Sequence, residues 1–272
     1  MNLETLLRAR TPIGLSDIDS VALMDRFDEK FMVPNAWLPD VLHDLATHQI
    51  LTIQGEVTTR YNNLYFDTDE NACLEAHTRG RSQRMKIRIR HYANTDVAFL
   101  EVKVRDVHGK TTKHRQVRDH GSAWNAPLTK RERDFLASLV PFSSDLKPVL
   151  QSRFERFTLA ELHEGERVTF DQHLEFCQPG SGIWVRPAAH VAIVEWKQGI
   201  VNHQGTLIQA FRRQPTRRGP LGRSLRLSKY ILGRISMQPT LPLRTYKAAL
   251  RDVRRAELLA ANPTFAPERL LQ

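Results

Sequence analysis

Residues 84–90 read RMKIRIR, a stretch in which four cationic side chains alternate with three apolar ones. Side chains of a β-strand point to opposite faces with a period of two, so the cations Arg84, Lys86, Arg88 and Arg90 would share one face. Arginine binds two phosphate oxygens at once through its planar fork, and lysine adds a compact positive charge. Such a face could bind a phosphorylated ligand, although in an ordinary half-buried strand the same charges would simply meet water.

The same alternation returns on five further segments, each with an apolar face opposite a face of cations and an occasional carboxylate. The charged faces are Arg26, Asp28 and Lys30; Glu101, Lys103 and Arg105; Lys113 and Arg115; Arg167, Thr169 and Asp171; and Glu195 and Lys197. Exposure to water would explain any one of these charged faces on its own. Like charges opposite one another across strands are destabilising, however, so repeated cations need interleaved carboxylates or a bound anion. A carboxylate among them could also hold a divalent cation that bridges phosphate oxygens.

The elements that would position these residues are mostly strands. Strand signals cover the segments 21–33, 57–67, 84–92, 97–106, 110–119, 147–159, 166–176 and 189–197, with a hairpin turn at Gly109. Apolar spacing predicts helices in 36–48, 129–139, 203–214 and 243–261, while 223–235 could be strand or helix. We therefore predict an α+β fold: a closed antiparallel β-barrel tunnel of about eight strands, with a polar, cation-lined lumen and short helices packed outside.

Composition narrows the choice of partner. The chain has 272 residues and a formal charge of +10, which favours a polyanion such as nucleic acid, phosphates or a membrane surface. Nucleic acid is not expected, because the residues between the cations are aliphatic rather than the aromatic residues on which bases stack. The two cysteines, Cys73 and Cys177, indicate neither a disulfide framework nor a zinc site, which fits a reducing cytoplasm.

The chain shows no repeat, no dividing linker and no glycine-rich phosphate loop of the G-x-x-x-x-G-K-[ST] type. No segment approaches the roughly 20 apolar residues that span a bilayer. We predict an N-terminal helical segment at residues 1–23, one tunnel domain at 24–235, and a basic helical tail at 236–272.

Nine short motifs, in order along the chain, carry a family resemblance. They are R-F-D-E-K-F (26–31), Y-F-D-T (65–68), K-I-R-I-R-H-Y (86–92), F-L-E-V-K (99–103), T-K-H-R (112–115), R-F-E-R (153–156), R-V-T-F-D (167–171), V-E-W-K (194–197) and S-K-Y (228–230). Through them the chain resembles the VTC domain, the polyphosphate polymerase domain of the vacuolar transporter chaperone family, within the triphosphate tunnel metalloenzyme (CYTH-like) superfamily. The resemblance implies an antiparallel tunnel that binds a nucleoside triphosphate together with Mn²⁺ or Mg²⁺.

The resemblance also implies roles for individual residues. Those that would line the tunnel and contact phosphates during catalysis are Lys30, Arg88, Arg90, Lys103, Arg156, Arg167, Lys197 and Lys229. Further substrate-binding cations would be Arg26, Lys86, Lys113 and Arg115. Glu195 would bind the metal, with Glu101 as a second ligand, and Asp28 stands where the family often has glutamate.

The reaction implied by the resemblance moves the γ-phosphoryl group of ATP to the end of an inorganic polyphosphate chain and releases ADP. Phosphoryl transfer depends on positioning and opposing charge rather than on a protein nucleophile, so a tunnel of cations suits it. Two alternatives remain open: a triphosphatase that uses water as the acceptor, and a non-catalytic module that binds polyphosphate or nucleic acid. The basic run at 216–226 and the basic tail would form a solvated surface, a polyphosphate exit or a peripheral membrane contact. The sequence predicts no oligomeric state.

Overall fold

The computed structural model describes residues 2–20, 27–118, 123–199, 202, 204–214, 219–225, 228–241 and 246–262. Its helices are α1 (Leu3–Arg8), α2 (Leu15–Ser20), α3 (Leu38–Asp44), α4 (Ala72–Thr78), α5 (Lys130–Ala137), α6 (Thr206–Arg213), α7 (Lys229–Met237) and α8 (Lys247–Ala261). Its strands are β1 (Pro12–Ile13), β2 (Phe27–Pro34), β3 (Gln49–Leu51), β4 (Thr59–Asp67), β5 (Arg84–Tyr92), β6 (Val97–Arg105), β7 (Thr111–Arg118), β8 (Lys147–Glu161), β9 (Glu166–Cys177), β10 (Trp184–Ala188) and β11 (Val191–Gln198).

One large sheet forms the centre of the fold. Eight strands follow one another in the order β2-β11-β9-β8-β4-β5-β6-β7, each antiparallel to the next. In addition, β10 pairs with β9, and β3 pairs with β8 and, in parallel, with β1. The predicted α+β class and the large antiparallel sheet are therefore confirmed. The hairpin between β6 and β7 turns at Gly109, whose φ of +85° is a conformation that glycine adopts without strain.

The prediction of a closed barrel is wrong, because among the described residues no ladder joins the two end strands, β2 and β7. The outer edge of β2 is covered instead by the segment 222–225. Gly222 N donates to Met32 O at 2.9 Å, and Leu225 N donates to Lys30 O at 2.6 Å. The carbonyls that β7 would need are thus already hydrogen-bonded. The other edge, β7, is largely exposed and rich in cations, which protect an open edge from pairing.

Most of the hydrophobic core lies on the outer side of this sheet. Helix α7 departs from the predicted packing of the helices outside, because its Tyr230 packs against Tyr65 on the opposite face. Helices α3 and α6 share a buried cluster with β2, β9 and β11, in which the rings of Phe31 and Phe211 meet edge to face at 5.3 Å. Helix α5 adds Leu136 to a second cluster with β4, β5 and β6. Each fully buried side chain of this kind contributes about 1.5–3 kcal/mol. Because the apolar faces are covered from outside, the charged faces of the same strands turn inward.

Capping residues explain where two of the helices begin. Thr129 and Glu132 form a capping box at the start of α5. The Ser228 hydroxyl caps α7 by accepting a hydrogen bond from Ile231 N at 3.3 Å. The segment 223–235, for which the sequence allowed strand or helix, is therefore helical from residue 229 onward. The other predicted helices are present as α3, α6 and α8.

No helix within the described residues is long and apolar enough to cross a membrane. Residues 21–26, with which the first predicted strand begins, lie outside the described part of the chain, as do parts of the basic run at 216–226 and residues 263–272 of the tail. The three-part division of the chain and the cytoplasmic location stay predictions.

Candidate functional site

The ladder places the predicted site residues on one face of the sheet. Side chains directly opposite each other in antiparallel strands share a face. We call this face the inner face. The predicted residues on it are Lys30, Lys86, Arg88, Arg90, Glu101, Lys103, Lys113, Arg115, Arg156, Arg167, Glu195 and Lys197. Lys229, the first residue of α7, reaches this face through an ion pair with Asp171. Arg26, also predicted, lies outside the described residues.

The sheet curves so that strands from its two ends face each other. Burial, followed by the like charges of Lys103, Lys30, Arg88 and Arg84 in that order, lowers the pKa of Lys86 to about 7. Lys86 is on β5, whereas Lys30 is on β2, and four strands lie between these two in the sheet. Because the interaction between charges falls with distance, Lys30 can influence β5 only if the sheet is strongly curved. The inner face is therefore a concave channel, although its edges do not pair.

Glu101 is the centre of one ion-pair cluster in this channel, with only 2% of its side chain exposed. Arg88 donates to Glu101 Oε2 from Nε at 2.8 Å and from Nη2 at 2.7 Å, and Lys113 Nζ lies 2.5 Å from Oε1. Burial would raise the pKa of Glu101, but the charges of Arg88, Arg90 and Lys113 lower it to about 2. The carboxylate is thus ionised and surrounded by cations, and its role as a metal ligand stays a prediction.

Asp171, which is fully buried, is the centre of a second cluster. Arg156 donates to its two oxygens, from Nε at 2.5 Å and from Nη2 at 2.8 Å, and Lys229 Nζ contacts Oδ2. Burial would raise the pKa of Asp171, but the charges of Arg156 and Lys229 hold it below its ordinary value. The rings of Tyr61 and Phe154 stack at 5.0 Å beside this pair, and Arg156 Cζ lies 5.2 Å from the Tyr61 centroid. The cluster fixes Arg156 and the start of α7 in the channel.

Glu195 and Asp28 are the candidate oxygen ligands for a divalent cation. Lys197 Nζ contacts Glu195 Oε1 and lies 3.1 Å from Asp28 Oδ1. Burial would raise the pKa of Glu195, but the charges of Lys197, Lys30 and Arg156 hold it well below its ordinary range. Glu195 is therefore an ionised, hard oxygen donor of the kind that Mg²⁺ and Mn²⁺ prefer.

Within the described residues, no three His, Cys, Asp or Glu side chains form a group that could hold a metal ion. Mg²⁺, however, is usually bound by only one or two carboxylates and completes its shell with substrate phosphates and water. The residues present therefore fit an ion that is shared with a bound triphosphate, rather than one enclosed by the protein alone.

Cations outnumber carboxylates on the described part of the inner face. The cations include Lys30, Arg84, Lys86, Arg88, Arg90, Lys103, Arg105, Lys113, Arg115, Arg156, Arg167, Lys197 and Lys229, and the carboxylates that form ion pairs among them are Asp28, Glu101, Asp171 and Glu195. A concave surface with such an excess attracts anions and concentrates them locally. The ligand that this channel suits best carries several negative charges along its length.

Comparison with known families identifies the chain. Residues 25–236 match the family model described as the VTC domain. The chain belongs to the VTC domain family. The family resemblance carried by the nine sequence motifs is thereby confirmed, whereas the roles of individual residues stay predictions. No curated protein matches the chain.

Several solved structures are similar to the chain. An adenylate cyclase candidate from Bacillus halodurans has 17% identity and a TM-score of 0.43, and the match covers 67% of this chain and 84% of that one. An adenylyl cyclase candidate from Hippeastrum, described as having a dominant triphosphatase activity, has 15% identity, coverages of 65% and 80%, and a TM-score of 0.42. An inorganic triphosphatase has 11% identity, coverages of 76% and 97%, and a TM-score of 0.32. With TM-scores below 0.5, these likenesses carry no argument about function.

Sequence reasoning gave no role to Asp171 or to the stacked pair Tyr61 and Phe154. The sequence does contain a signal for Asp171, because this residue continues the charged face of R-V-T-F-D two residues after Thr169. Its partners Arg156 and Lys229 lie on another strand and on a helix, so only the fold shows that it neutralises them.

Proposed function

We propose that the protein is a metal-dependent polyphosphate polymerase, which transfers the γ-phosphoryl group of ATP to the end of an inorganic polyphosphate chain and releases ADP. The observation that carries the proposal is the concave inner face, with its large excess of cations over carboxylates, in a chain of the VTC domain family. A linear phosphate chain matches such a channel in charge and in shape.

The ion-pair clusters of the channel would prepare its arginines for phosphate binding. Glu101 holds Arg88, and Asp171 holds Arg156, before any ligand arrives. Groups that are already oriented need little reorganisation when charge develops in the transition state. Lys229 adds a cation at the start of α7, where the helix dipole also favours negative charge. These residues would hold donor and acceptor in line for transfer.

In the proposed step, an oxygen of the terminal phosphate of the chain attacks the γ-phosphorus of ATP. The bond from that phosphorus to the β–γ bridging oxygen breaks, and ADP leaves with the electron pair. Glu195, with Asp28, would hold Mn²⁺ or Mg²⁺, which when bound supplies neutralising charge at the triphosphate oxygens. The cations of the inner face stabilise the remaining charge and hold the growing chain.

The test is incubation of the purified protein with ATP and MnCl₂, followed by phosphorus NMR, with a metal-free sample as the control. The expected result is metal-dependent signals from internal chain phosphates together with ADP. Orthophosphate without chain growth would replace the proposal with triphosphate hydrolysis. Absence of turnover with either Mn²⁺ or Mg²⁺ would leave a binding module.

The substitution Glu195→Gln removes the ionised carboxylate proposed to bind the metal while keeping the side-chain size. We expect turnover to fall roughly hundredfold or more, as is typical when a group that stabilises transition-state charge is lost. The matched control is Glu75→Gln, because Glu75 lies on α4 in a surface ion pair with Arg79. Unchanged turnover in folded Glu195→Gln protein would exclude Glu195 as a metal ligand.

A further inference from the structure

An open cavity of about 570 Å³ is lined by charged side chains from the outer face of the sheet. In the ladder, Asn62 of β4 pairs with Arg153 of β8, and Arg153 pairs with Glu175 of β9. These positions alternate with Tyr61 and Phe154, which also border the cavity and whose rings stack next to the channel cations, so Arg153 and Glu175 lie on the opposite face of the sheet from those cations. The volume is within the range of small-molecule sites.

Two arginines converge on this cavity and are held by one buried carboxylate. Glu175, whose side chain is 7% exposed, accepts a hydrogen bond from Arg153 Nε through one oxygen and from Arg186 Nε through the other. Burial would raise the pKa of Glu175, but the two arginines lower it, so this carboxylate is ionised. Arg153 also lies over the ring of Trp184, with Cζ 4.1 Å from the centroid. Both guanidinium groups are therefore oriented in advance.

The arginines bind Glu175 through their Nε atoms only. Among the described residues, the Nη atoms of Arg153 and Arg186 have no hydrogen-bond partner, although each can donate two protons. Glu175 offsets one of the two positive charges, and Arg60 adds a third cation to the lining. Glu155 is the other carboxylate of the lining. The three arginines outnumber the two carboxylates, so the cavity has a net positive charge.

We propose that this cavity is a second anion site, which binds the phosphate group of a small phosphorylated molecule. The free Nη edges of Arg153 and Arg186 form a pair of forks that matches phosphate oxygens. Apolar atoms of Phe154, Leu174 and Ala93 line the cavity beside them, and these can contact the rest of the ligand. None of these cations belongs to the inner face, so the site does not depend on the proposed polymerase activity.

Trp184 provides a local signal for the test. The chain contains four tryptophans, so protein labelled with 5-fluorotryptophan gives a small set of fluorine NMR signals, and Trp184→Phe assigns the one of interest. We use AMP as the probe. The expected result is a saturable shift of the Trp184 signal, because a phosphate bound to Arg153 changes the cation that lies over this ring. In Arg186→Gln, the half-saturating concentration should rise by about tenfold or more, the cost of one charge-assisted hydrogen bond.

The matched control is Lys113→Gln, which removes a channel cation on β7, separated from β8 by three strands, and should leave the Trp184 response unchanged. The Arg186 side chain is 67% exposed, so its substitution should leave the far-UV circular dichroism spectrum as it is. Inorganic phosphate should compete with AMP, and adenosine, which lacks the phosphate, should cause no saturable shift. No response to AMP, an equal response in Arg186→Gln, a response lost in Lys113→Gln, or an equal response to adenosine would each overturn the proposal.

Discussion

The substitution Asp171→Asn tests whether the channel is held together by its buried ion pairs. Asp171 is fully buried, and it is the shared partner of Arg156 and Lys229, whose side chains are only 16% and 14% exposed. Asparagine keeps the shape but removes the charge, which leaves two withdrawn cations without their counter-ion. Removal of one partner from a buried pair typically costs about 3–5 kcal/mol, and we expect the free energy of unfolding to fall by that amount.

The assay is urea unfolding at pH 7, followed by circular dichroism. The matched control is Asp69→Asn, because Asp69 and Lys147 form an ion pair at 2.5 Å whose side chains are 68% and 61% exposed, and an exposed pair contributes at most about 1 kcal/mol. Tripolyphosphate should restore part of the stability lost in Asp171→Asn, because its charge replaces that of the carboxylate. A loss below about 1 kcal/mol, equal to that of the surface control, would refute the reasoning.

The contribution of the Asp171 ion pairs to the free energy of unfolding depends on pH with a definite sign. The cations hold the pKa of Asp171 below its ordinary value in the folded protein. The contribution is therefore complete above the unfolded pKa, about 3.9, and is lost as the pH falls through the lower folded value. The difference between the native protein and Asp171→Asn should accordingly shrink in acid.

Three further substitutions or conditions test the inner face. Arg88→Ala should weaken ATP binding about tenfold or more by calorimetry, because it removes a charge-assisted phosphate contact, whereas the surface variant Arg79→Ala should bind ATP normally. Since the pKa of Lys86 is about 7, tripolyphosphate bound at pH 8.5 should restore its charge and take up close to one proton. Calorimetry in two buffers of different ionisation enthalpy measures that proton, and uptake that persists in Lys86→Met would contradict the assignment. Lys103→Met should raise the free energy of unfolding without ligand by up to about 1 kcal/mol, because burial of the charged lysine and its like-charge neighbours outweigh the attraction of Glu195 and Asp28, yet it should weaken tripolyphosphate binding. A loss of stability on urea unfolding would show that the lysine is not repelled.

The composition of the inner face could be predicted from sequence because a strand has a fixed period. Once β5 is recognised, Lys86, Arg88 and Arg90 must share a face, and the same holds for Glu195 and Lys197 on β11. The apolar residues between them identify the side that packs under helices. The two-residue period therefore places the site residues of each strand on one face, even when the neighbouring strands are not known.

Closure of the barrel could not be predicted in this way. It depends on whether an irregular segment reaches the edge of β2, and the hydrogen bonds from Gly222 and Leu225 depend on a tertiary position that leaves no periodic trace. The outer cavity escaped prediction for a related reason. At the irregular point of the β8–β9 ladder, His173 has a φ of +53°, so the residues around it no longer follow simple alternation.

The middle of the channel carries an arrangement that stability alone would not favour. Lys86, Lys103 and Lys113 are directly opposite one another across β5, β6 and β7, although like charges in such pairs are destabilising. Glu101, the carboxylate on these strands, pairs with Arg88 and Arg90, and of the three lysines only Lys113 forms an ion pair with it in the described part of the chain. The charges of Glu195 and Asp28 across the channel offset part of the repulsion at Lys103, whereas the charges that act most strongly on Lys86 are all positive, so Lys86 lacks a balancing anion among the described residues. A phosphate chain along the channel would provide one for every lysine in the row, and a ligand that binds only the folded state stabilises it in proportion to its affinity. The row of lysines is therefore better explained by a bound polyanion than by the fold itself.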